Sequence, residues 1–223
     1  MFDRIAGIYD LGNHLLSLGQ DFSWRKKLSL ALKEFQPGVI LDLAAGTADL
    51  AIALKRQIPD SEIIALDLAQ KMLLRAAEKI NRKKLQNSVF LAGADIEQMP
   101  FPDQSFDALT IGFGIRNLES RAKGLAEIFR ILKPGGAFAI LEFSLPESGV
   151  FAHLYHTYLN ILLPRIGKIL RGQNAYFYLR DTIQEFPAPS QFSQELNQAG
   201  FLSINITPLS RGIVTLYLAL KPK

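Results

Sequence analysis

The sequence predicts an α/β fold with a doubly wound, mostly parallel sheet of seven strands. Short apolar runs such as 39–43 and 62–66 are typical of strands that are buried on both faces. Segments with helical spacing separate these runs, as expected for crossovers between parallel strands. With 223 residues and 48% hydrophobic content, the chain can build one sizeable core. No stretch resembles a linker between independent domains, so we predict a single domain over 1–223.

The predicted elements alternate along the chain. A first helix at 23–35 ends at a Gln-Pro-Gly stop signal, so residues 1–36 precede the sheet, and we interpret them as a lid over the site. The other helices are predicted at 48–57, 69–82, 120–131 and 190–199. The strands are predicted at 39–43, 62–66, 88–91, 106–111, 137–143, 202–207 and 212–220.

Three aspartates follow or end apolar runs. Asp42 lies in Val-Ile-Leu-Asp-Leu, Asp67 follows Ile-Ile-Ala-Leu, and Asp95 follows Val-Phe-Leu-Ala-Gly-Ala. The carboxyl ends of parallel strands share one crevice, and a ribose-binding acid is expected roughly 20 residues beyond the first strand. Each acid alone could be a helix cap or a turn residue. All three in this order favour the polar lining of a nucleoside pocket.

A turn of small residues, Ala-Ala-Gly-Thr-Ala-Asp at 44–49, follows the first strand. A dinucleotide fingerprint requires three glycines, and this turn contains only Gly46. The sequence therefore lacks a pyrophosphate cradle, which favours a nucleoside thioether, S-adenosylmethionine, over NAD. We expect Ala48 to occupy a first-turn helical position with negative φ, where alanine is well tolerated.

Composition excludes several classes of site. The chain has no cysteine, which excludes disulfides, thiolate zinc sites and a cysteine nucleophile, and makes the cytoplasm the expected compartment. Its three histidines lack the spacing of a metal-binding motif, so we predict no metal site. A net charge of +4 does not require a nucleic-acid partner. We find no signal peptide and no apolar run long enough to cross a bilayer.

Residues 145–186 form a predicted insertion between the fifth strand and the last helix, because simple connections typically run about two to eight residues. Its part 151–180 contains four basic residues, no acidic residue and many tyrosines and leucines. A basic, aromatic, amphipathic segment suits a membrane interface or a lipid tail. The alternative is a cap that packs on the core or on a second subunit of a homodimer.

Several motifs carry a resemblance to a known family. They are Leu-Asp-Leu-Ala-Ala-Gly-Thr-Ala-Asp-Leu at 41–50, Phe-Gly-Ile-Arg-Asn at 113–117, Glu-Phe-Ser at 142–144 and Tyr-Asp-Leu-Gly-Asn at 9–13. The first resembles the opening motif of class I methyltransferases. Together they resemble the ubiquinone/menaquinone biosynthesis C-methyltransferase family over nearly the whole chain. The family usually has methionine at Gly12, histidine at Asp21, glycine at Ala48 and serine at Gly112, and none of these departures removes an acid of the pocket.

The resemblance implies a class I methyltransferase fold and transfer of a methyl group from S-adenosylmethionine to a ring carbon of a prenylated quinol. The favoured acceptor is demethylmenaquinol, and the methoxybenzoquinol of ubiquinone biosynthesis is the alternative. The residues expected to bind the cofactor are Asp42, Gly46, Thr47, Asp67, Asp95, Ile96 and Gly112. A lipid- or protein-binding module on the same fold would be expected to have lost these acids.

The resemblance also implies a catalytic group of Arg116, Asn117 and Tyr9. Arg116 could stabilise a phenolate, or it could form only a salt bridge in a loop. Tyr9 could act on the substrate, or it could be a packed aromatic in the lid. Further candidates for a base or an orienting group in the amino-terminal segment are Asp10, His14 and Asp21.

Overall fold

The computed structural model describes residues 17, 19–146, 152–153, 155, 157–162 and 173–223, and all structural statements refer to them. Seven strands form one sheet: β1 Val39–Leu43, β2 Glu62–Asp67, β3 Val89–Gly93, β4 Phe106–Gly112, β5 Leu132–Phe143, β6 Leu202–Leu209 and β7 Val214–Leu220. The longer helices are α1 Gln20–Lys33, α2 Asp49–Gln57, α3 Gln70–Arg82, α4 Arg121–Ile131, α5 Gln173–Glu185 and α6 Pro189–Gln198.

The sheet has the strand order β3-β2-β1-β4-β5-β7-β6. Strand β7 runs antiparallel to both of its neighbours, β5 and β6, and all other neighbouring strands are parallel. The prediction of a doubly wound, mostly parallel sheet of seven strands is confirmed. The order reverses between β1 and β4, which pair directly. In open α/β sheets this switch point leaves a crevice at the carboxyl ends of the strands, where ligands bind.

Apolar layers cover both faces of the sheet. Successive strand residues alternate between the layers, since Ile40 joins the layer beneath α1 and α2 while Leu41 joins the layer beneath α4 and α6. Both side chains are fully buried. The near-continuous apolar runs of the sequence thus arise because both faces of each central strand are covered.

Helix α1 is part of this core. Trp24, Leu28 and Leu32, spaced four residues apart, bury one face of the helix against the sheet. The indole of Trp24 packs near the rings of Phe113 and Phe143, with centroid distances of 6.0 and 6.4 Å. These phenylalanines follow β4 and end β5, respectively. The first turns of α1 therefore lie at the carboxyl edge of the sheet, and the described part of the predicted lid is a packed helix.

Strand β5 begins at Leu132, directly after α4, and the predicted start at 137 was wrong. The Lys-Pro-Gly-Gly sequence lies inside the strand because an irregularity in the pairing of β4 with β5 accommodates it. A Cβ on Gly136 would lie 2.9 Å from the carbonyl oxygen of Asp107 and 2.8 Å from that of Lys133, so only glycine fits there.

The described part of the insertion contains α5 and a π-helical turn at Tyr158–Leu162. Helix α5 packs near the 3-10 turn Ile115–Asn117 that follows β4. Tyr155, Leu159 and Ile183 form a small apolar cluster that also contacts Phe143. None of the described helices has the length and apolar character needed to cross a membrane.

Candidate functional site

The turn between β1 and α2 has an unusual backbone. Ala44, Gly46 and Ala48 have φ values of 47°, 56° and 64°. The expectation of a negative φ at Ala48 was wrong, because this residue precedes the helix as its N-cap, and the chain must reverse direction before the helix begins. Alanine in the left-handed region is strained by about 1–2 kcal/mol relative to the right-handed region.

The neighbouring glycines differ in the space around them. A Cβ on Gly114 would lie 2.5 Å from the Cβ of Ala44, and one on Gly112 would lie 3.1 Å from Leu50. These two glycines allow the loop after β4 to approach the turn after β1. In contrast, no atom of the described residues lies within 4 Å of a Cβ built on Gly46. The backbone at Gly46 thus faces open space in which a ligand can approach closely.

Asp67 joins the end of β2 to this turn. Its Oδ2 accepts a hydrogen bond from the backbone N–H of Gly46 at 2.7 Å, and its Oδ1 accepts one from Ala69 at 2.8 Å. The side chain is half-buried. The structure thus brings Asp67 and Gly46 together, beside the open space above the turn. A carboxylate at this position can accept hydrogen bonds from a diol such as a ribose.

Asp42 lies fully buried beneath the turn. The hydroxyl of Thr110, the facing residue on β4, donates a hydrogen bond to Oδ1 at 2.7 Å. The other oxygen, Oδ2, is buried, and no donor in the described part of the chain has hydrogen-bond geometry to it, although the backbone N–H of Ala51 lies near enough to the carboxylate to favour its charged form. Burial raises the pKa of Asp42 to about 7, although the Thr110 hydrogen bond and the charge of Arg25 oppose this rise. Asp42 is therefore poised between its neutral and charged forms near neutral pH.

A lysine supports the first turn of α2. The ammonium of Lys79 on α3 donates to Thr47 Oγ1 at 2.8 Å and to Asp49 Oδ1 at 2.7 Å. Sequence reasoning selected Thr47 but missed Lys79, because 32 residues separate the two and nothing local connects them. Thr47 is buried with this contact, so part of its role is to anchor the turn.

Asp95 and Ile96 follow β3 at the same edge of the sheet. Asp95 Oδ1 accepts a hydrogen bond from the backbone N–H of Glu97 at 2.9 Å, an arrangement typical of a turn residue. Its carboxylate is exposed, whereas Ile96 is buried in the layer beneath α4. Asp95 thus stabilises its own turn while remaining accessible to a ligand.

The loop after β4 carries a buried ion pair. Arg116 Nη1 donates to Glu142 Oε1 at 2.7 Å and also to the carbonyl oxygen of Phe113. The side chains of Arg116 and Glu142 are 6% and 0% exposed. Glu142 Oε1 also accepts from the Phe143 N–H at 2.8 Å. Among the residues that the structure describes, the buried Nε of Arg116 has no hydrogen-bond partner, so this guanidinium has donor capacity left.

Asn117 connects the site to the insertion. The hydroxyl of Tyr178 on α5 donates a hydrogen bond to Asn117 Oδ1 at 3.0 Å. Burial raises the pKa of the Tyr155 hydroxyl well above its usual value. The positive charge of nearby Arg116 opposes this rise but does not cancel it. Tyr155 is therefore neutral at physiological pH and cannot serve there as a general base.

Of the four candidate residues in the amino-terminal segment, the structure describes one, Asp21. Tyr9, Asp10 and His14 lie outside the described residues. Asp21 is buried in α1, where it forms an ion pair with Arg25 and accepts a hydrogen bond from Ser17. Among the residues that the structure describes, no group of three or more His, Cys, Asp or Glu side chains could hold a metal ion.

A switch-point crevice with an acid at the end of β2 and an open turn after β1 suits a nucleoside, and this strand order is that of class I S-adenosylmethionine-dependent methyltransferases. A solved S-adenosylmethionine-dependent methyltransferase from Aquifex aeolicus has a similar fold, with a TM-score of 0.62 at 19% identity over 89% of this chain and 97% of that chain. The chain belongs to the ubiE/COQ5 methyltransferase family, whose profile matches residues 1–221.

Two relatives illustrate the family. The chain is 40% identical over 222 residues to a demethylmenaquinone methyltransferase from Bacteroides fragilis, which covers 99% of this chain and 91% of that protein. It is 41% identical over 218 residues to a ubiquinone/menaquinone biosynthesis C-methyltransferase from Geotalea daltonii, and the match covers 97% of this chain and 93% of that protein. The chain is thus an S-adenosylmethionine-dependent methyltransferase, and the resemblance drawn from the sequence is confirmed.

Proposed function

We propose that the chain transfers the methyl group of S-adenosylmethionine to a ring carbon of a prenylated quinol, with demethylmenaquinol as the main acceptor. The observation that carries this proposal is the 40% identity with the Bacteroides fragilis demethylmenaquinone methyltransferase over 99% of the chain. The methoxybenzoquinol of ubiquinone biosynthesis is a second candidate acceptor. It is supported by the name of the Geotalea daltonii relative, which includes both pathways.

The residues of the crevice fit the cofactor. The carboxylate of Asp67 would accept hydrogen bonds from the ribose hydroxyls, and the open backbone at Gly46 allows the nucleoside to approach closely. Asp42, fully buried beneath the same turn, would favour the ammonium group of the cofactor's amino-acid part through the charge of its ionised form rather than by direct contact. Asp95 and Ile96 would border the adenine. When bound, S-adenosylmethionine supplies a methyl group activated by a positively charged sulfur.

The chain must also activate the acceptor. A ring carbon of a quinol is a weak nucleophile until the neighbouring hydroxyl loses its proton, and phenolic hydroxyls titrate near pH 10. The guanidinium of Arg116 remains charged at all relevant pH values and cannot act as a base. Its role in this proposal is to donate a hydrogen bond from Nε or Nη2 to the acceptor oxygen and to stabilise the phenolate. A water beside Arg116 or Tyr9 would accept the proton.

The insertion is the proposed binding site for the prenyl tail. Tyr155, Leu159 and Ile183 form a buried apolar cluster beside Phe143, whose ring lies under the Arg116 guanidinium. The tail would lie along the partly buried residues that border this cluster, Leu145, Tyr158 and Leu179, where burying each methylene contributes about 0.8 kcal/mol. The hydrogen bond from Tyr178 to Asn117 would then couple tail binding at α5 to the loop that carries Arg116.

We also propose that the segment 151–180 makes a peripheral, reversible contact with the membrane that holds the quinol. Its composition supports this proposal, because four basic residues accompany the aromatic and aliphatic residues and no acidic residue is present. Ile161, in the described part of the segment, is 46% exposed. A contact of this kind would place the tail-binding cluster near the bilayer surface.

Product analysis tests the proposed function. The purified chain is incubated with S-adenosylmethionine and either demethylmenaquinol or a methoxybenzoquinol, under reducing conditions that keep both acceptors as quinols. Mass spectrometry should detect a product heavier by one methylene, with the new methyl group on a ring carbon, and demethylmenaquinol should react faster. Methylation of neither quinol, with the cofactor shown to bind, would contradict the proposal.

A further inference from the structure

Glu142 is a buried carboxylate for which the proposed reaction has no direct use. Glu142 is the penultimate residue of β5, near the carboxyl end of the sheet, and its side chain is 0% exposed there. Isolated carboxylates are not buried at this level, because the loss of hydration costs several kcal/mol. The position of Glu142 therefore requires compensation, and the structure supplies it from one neighbouring loop.

Three contacts hold this carboxylate. Oε1 accepts from Arg116 Nη1 at 2.7 Å and from the Phe143 N–H at 2.8 Å. Oε2 accepts a longer bond, 3.3 Å, from the backbone N–H of Arg116. The side chain and the backbone of Arg116 are thus both fixed by the same carboxylate. Because Glu142 is itself anchored at Phe143, the position of Arg116 depends on β5 as well as on its own loop.

The contacts of Arg116 use only one end of the guanidinium. Glu142 and the Phe113 carbonyl both accept from Nη1, and the guanidinium carbon lies 5.4 Å from the centre of the Phe143 ring. Within the described part of the chain, neither the buried Nε nor Nη2 donates a hydrogen bond. A buried, unpartnered donor is costly, by about 1–3 kcal/mol, unless a ligand completes it. The arrangement thus keeps the Nε and Nη2 donors of a fixed cation unpaired at the carboxyl edge of the sheet.

We infer that Glu142 is a positioning residue for methyl transfer: it holds Arg116 through Nη1 so that the Nε and Nη2 donors remain available to the acceptor oxygen, and its charge sets how strongly Arg116 favours the phenolate. This inference rests on the proposed function. Glu142 contacts both the side chain and the backbone N–H of Arg116. This double contact by one carboxylate points to positioning rather than to stability alone.

Other titratable groups around this pair are neutral or compensated in the described part of the chain. Burial raises the pKa of Tyr155, from the insertion, and of Tyr217, from β7, well above their usual values. Arg25 on α1 lies over the Phe113 ring and is paired with Asp21. The charge of Glu142 is therefore the one whose removal most directly changes the electrostatic potential at Arg116.

The test compares Glu142→Gln with Glu142→Asp. Glutamine keeps the shape and removes the charge, whereas aspartate keeps the charge and withdraws it by one methylene. Initial rates of quinol methylation are measured at saturating substrates from pH 6 to 10, and cofactor affinity is measured by calorimetry. For Glu142→Gln we expect the high-pH plateau of kcat to fall tenfold or more with cofactor Kd within twofold of wild type. We also expect the midpoint of the pH profile to move about one unit lower, because the charge of Arg116 is no longer offset.

For Glu142→Asp we expect a lower plateau with the wild-type midpoint. A plateau within twofold of wild type in both variants overturns the inference, and so does a lower plateau in Glu142→Gln with an unmoved midpoint, which indicates a purely structural role. If Glu142→Gln does not fold, Glu142→Asp carries the test alone. A plateau reduced tenfold or more with cofactor Kd within twofold of wild type then supports the inference, and a smaller reduction overturns it. Absence of quinol methylation by the wild-type chain contradicts instead the proposed function.

Discussion

The buried acid Asp42 should make the stability of the protein fall as the pH rises toward neutrality. In the folded chain its pKa is raised from 3.8 to about 7. The folded state therefore holds this proton more tightly than the unfolded state. The contribution of Asp42 to the free energy of unfolding is thus largest below about pH 4, declines as the pH rises to 7, and is constant above that. A tenfold difference in proton affinity corresponds to about 1.4 kcal/mol, so the ionised form costs the folded chain on the order of 4 kcal/mol.

Substitution Asp42→Asn should remove this dependence. Asparagine can still accept the hydrogen bond from Thr110 through Oδ1, while its amide nitrogen takes the place of the unpartnered Oδ2 and adds a penalty that does not vary with pH. Relative to this variant, the wild-type free energy of unfolding should decline by about 2 kcal/mol between pH 5 and 7. Titration of other groups cancels in the comparison.

The measurement is urea denaturation at half-unit steps from pH 5 to 9, followed by circular dichroism, for wild type and Asp42→Asn. Asp60→Asn, a change at an exposed acid, serves as the matched control and should follow the wild-type pH dependence. Thr110→Val should extend the decline to higher pH, because the hydrogen bond that lowers the pKa of Asp42 is lost. An Asp42→Asn variant with the same pH dependence as wild type would refute the assignment of this proton to Asp42.

Two further predictions concern the cofactor and the membrane. Asp67→Asn should weaken cofactor binding at least tenfold by calorimetry, because hydrogen bonds to a charged acceptor contribute about 1.5–3 kcal/mol. Its melting temperature should stay within a few degrees of the wild-type value. Equal affinity in Asp67→Asn and the Asp60→Asn control would exclude Asp67 from the site. The wild-type chain should co-sediment with anionic vesicles at low salt and dissociate above about 0.5 M salt. Lys168→Glu/Arg171→Glu should reduce this binding and Lys83→Glu/Lys84→Glu should not, so an equal effect of both double variants would contradict contact through 151–180.

The sheet could be predicted well because its signal is local. Each central strand is buried on both faces, and such strands appear in the sequence as continuous apolar runs between helical segments. The exception is β5, where the glycine-containing stretch before 137 suggested a loop. Its inclusion in the strand depends on pairing with β4 and on the space at Gly136, which only the assembled sheet determines.

The site could be predicted in part. Asp42, Gly46 and Asp67 were selected because strand ends meet at one edge of a parallel sheet, and the structure places all three around one turn. The contacts of Arg116 with Glu142 and of Thr47 with Lys79 could not be predicted, since 26 and 32 residues separate the partners. Such pairs follow from strand register and helix packing, which no local pattern in the sequence specifies.

The turn after β1 achieves its shape with alanines at two left-handed positions, Ala44 and Ala48. Glycine would adopt the same conformation without strain but would also sample many others, both in the unfolded chain and in a loosely held loop. Alanine narrows that range, and the neighbouring bond from Gly46 to Asp67 fixes the middle of the turn. A nucleoside bound as proposed would thus meet a preorganised loop, and little conformational entropy would remain to be lost on binding.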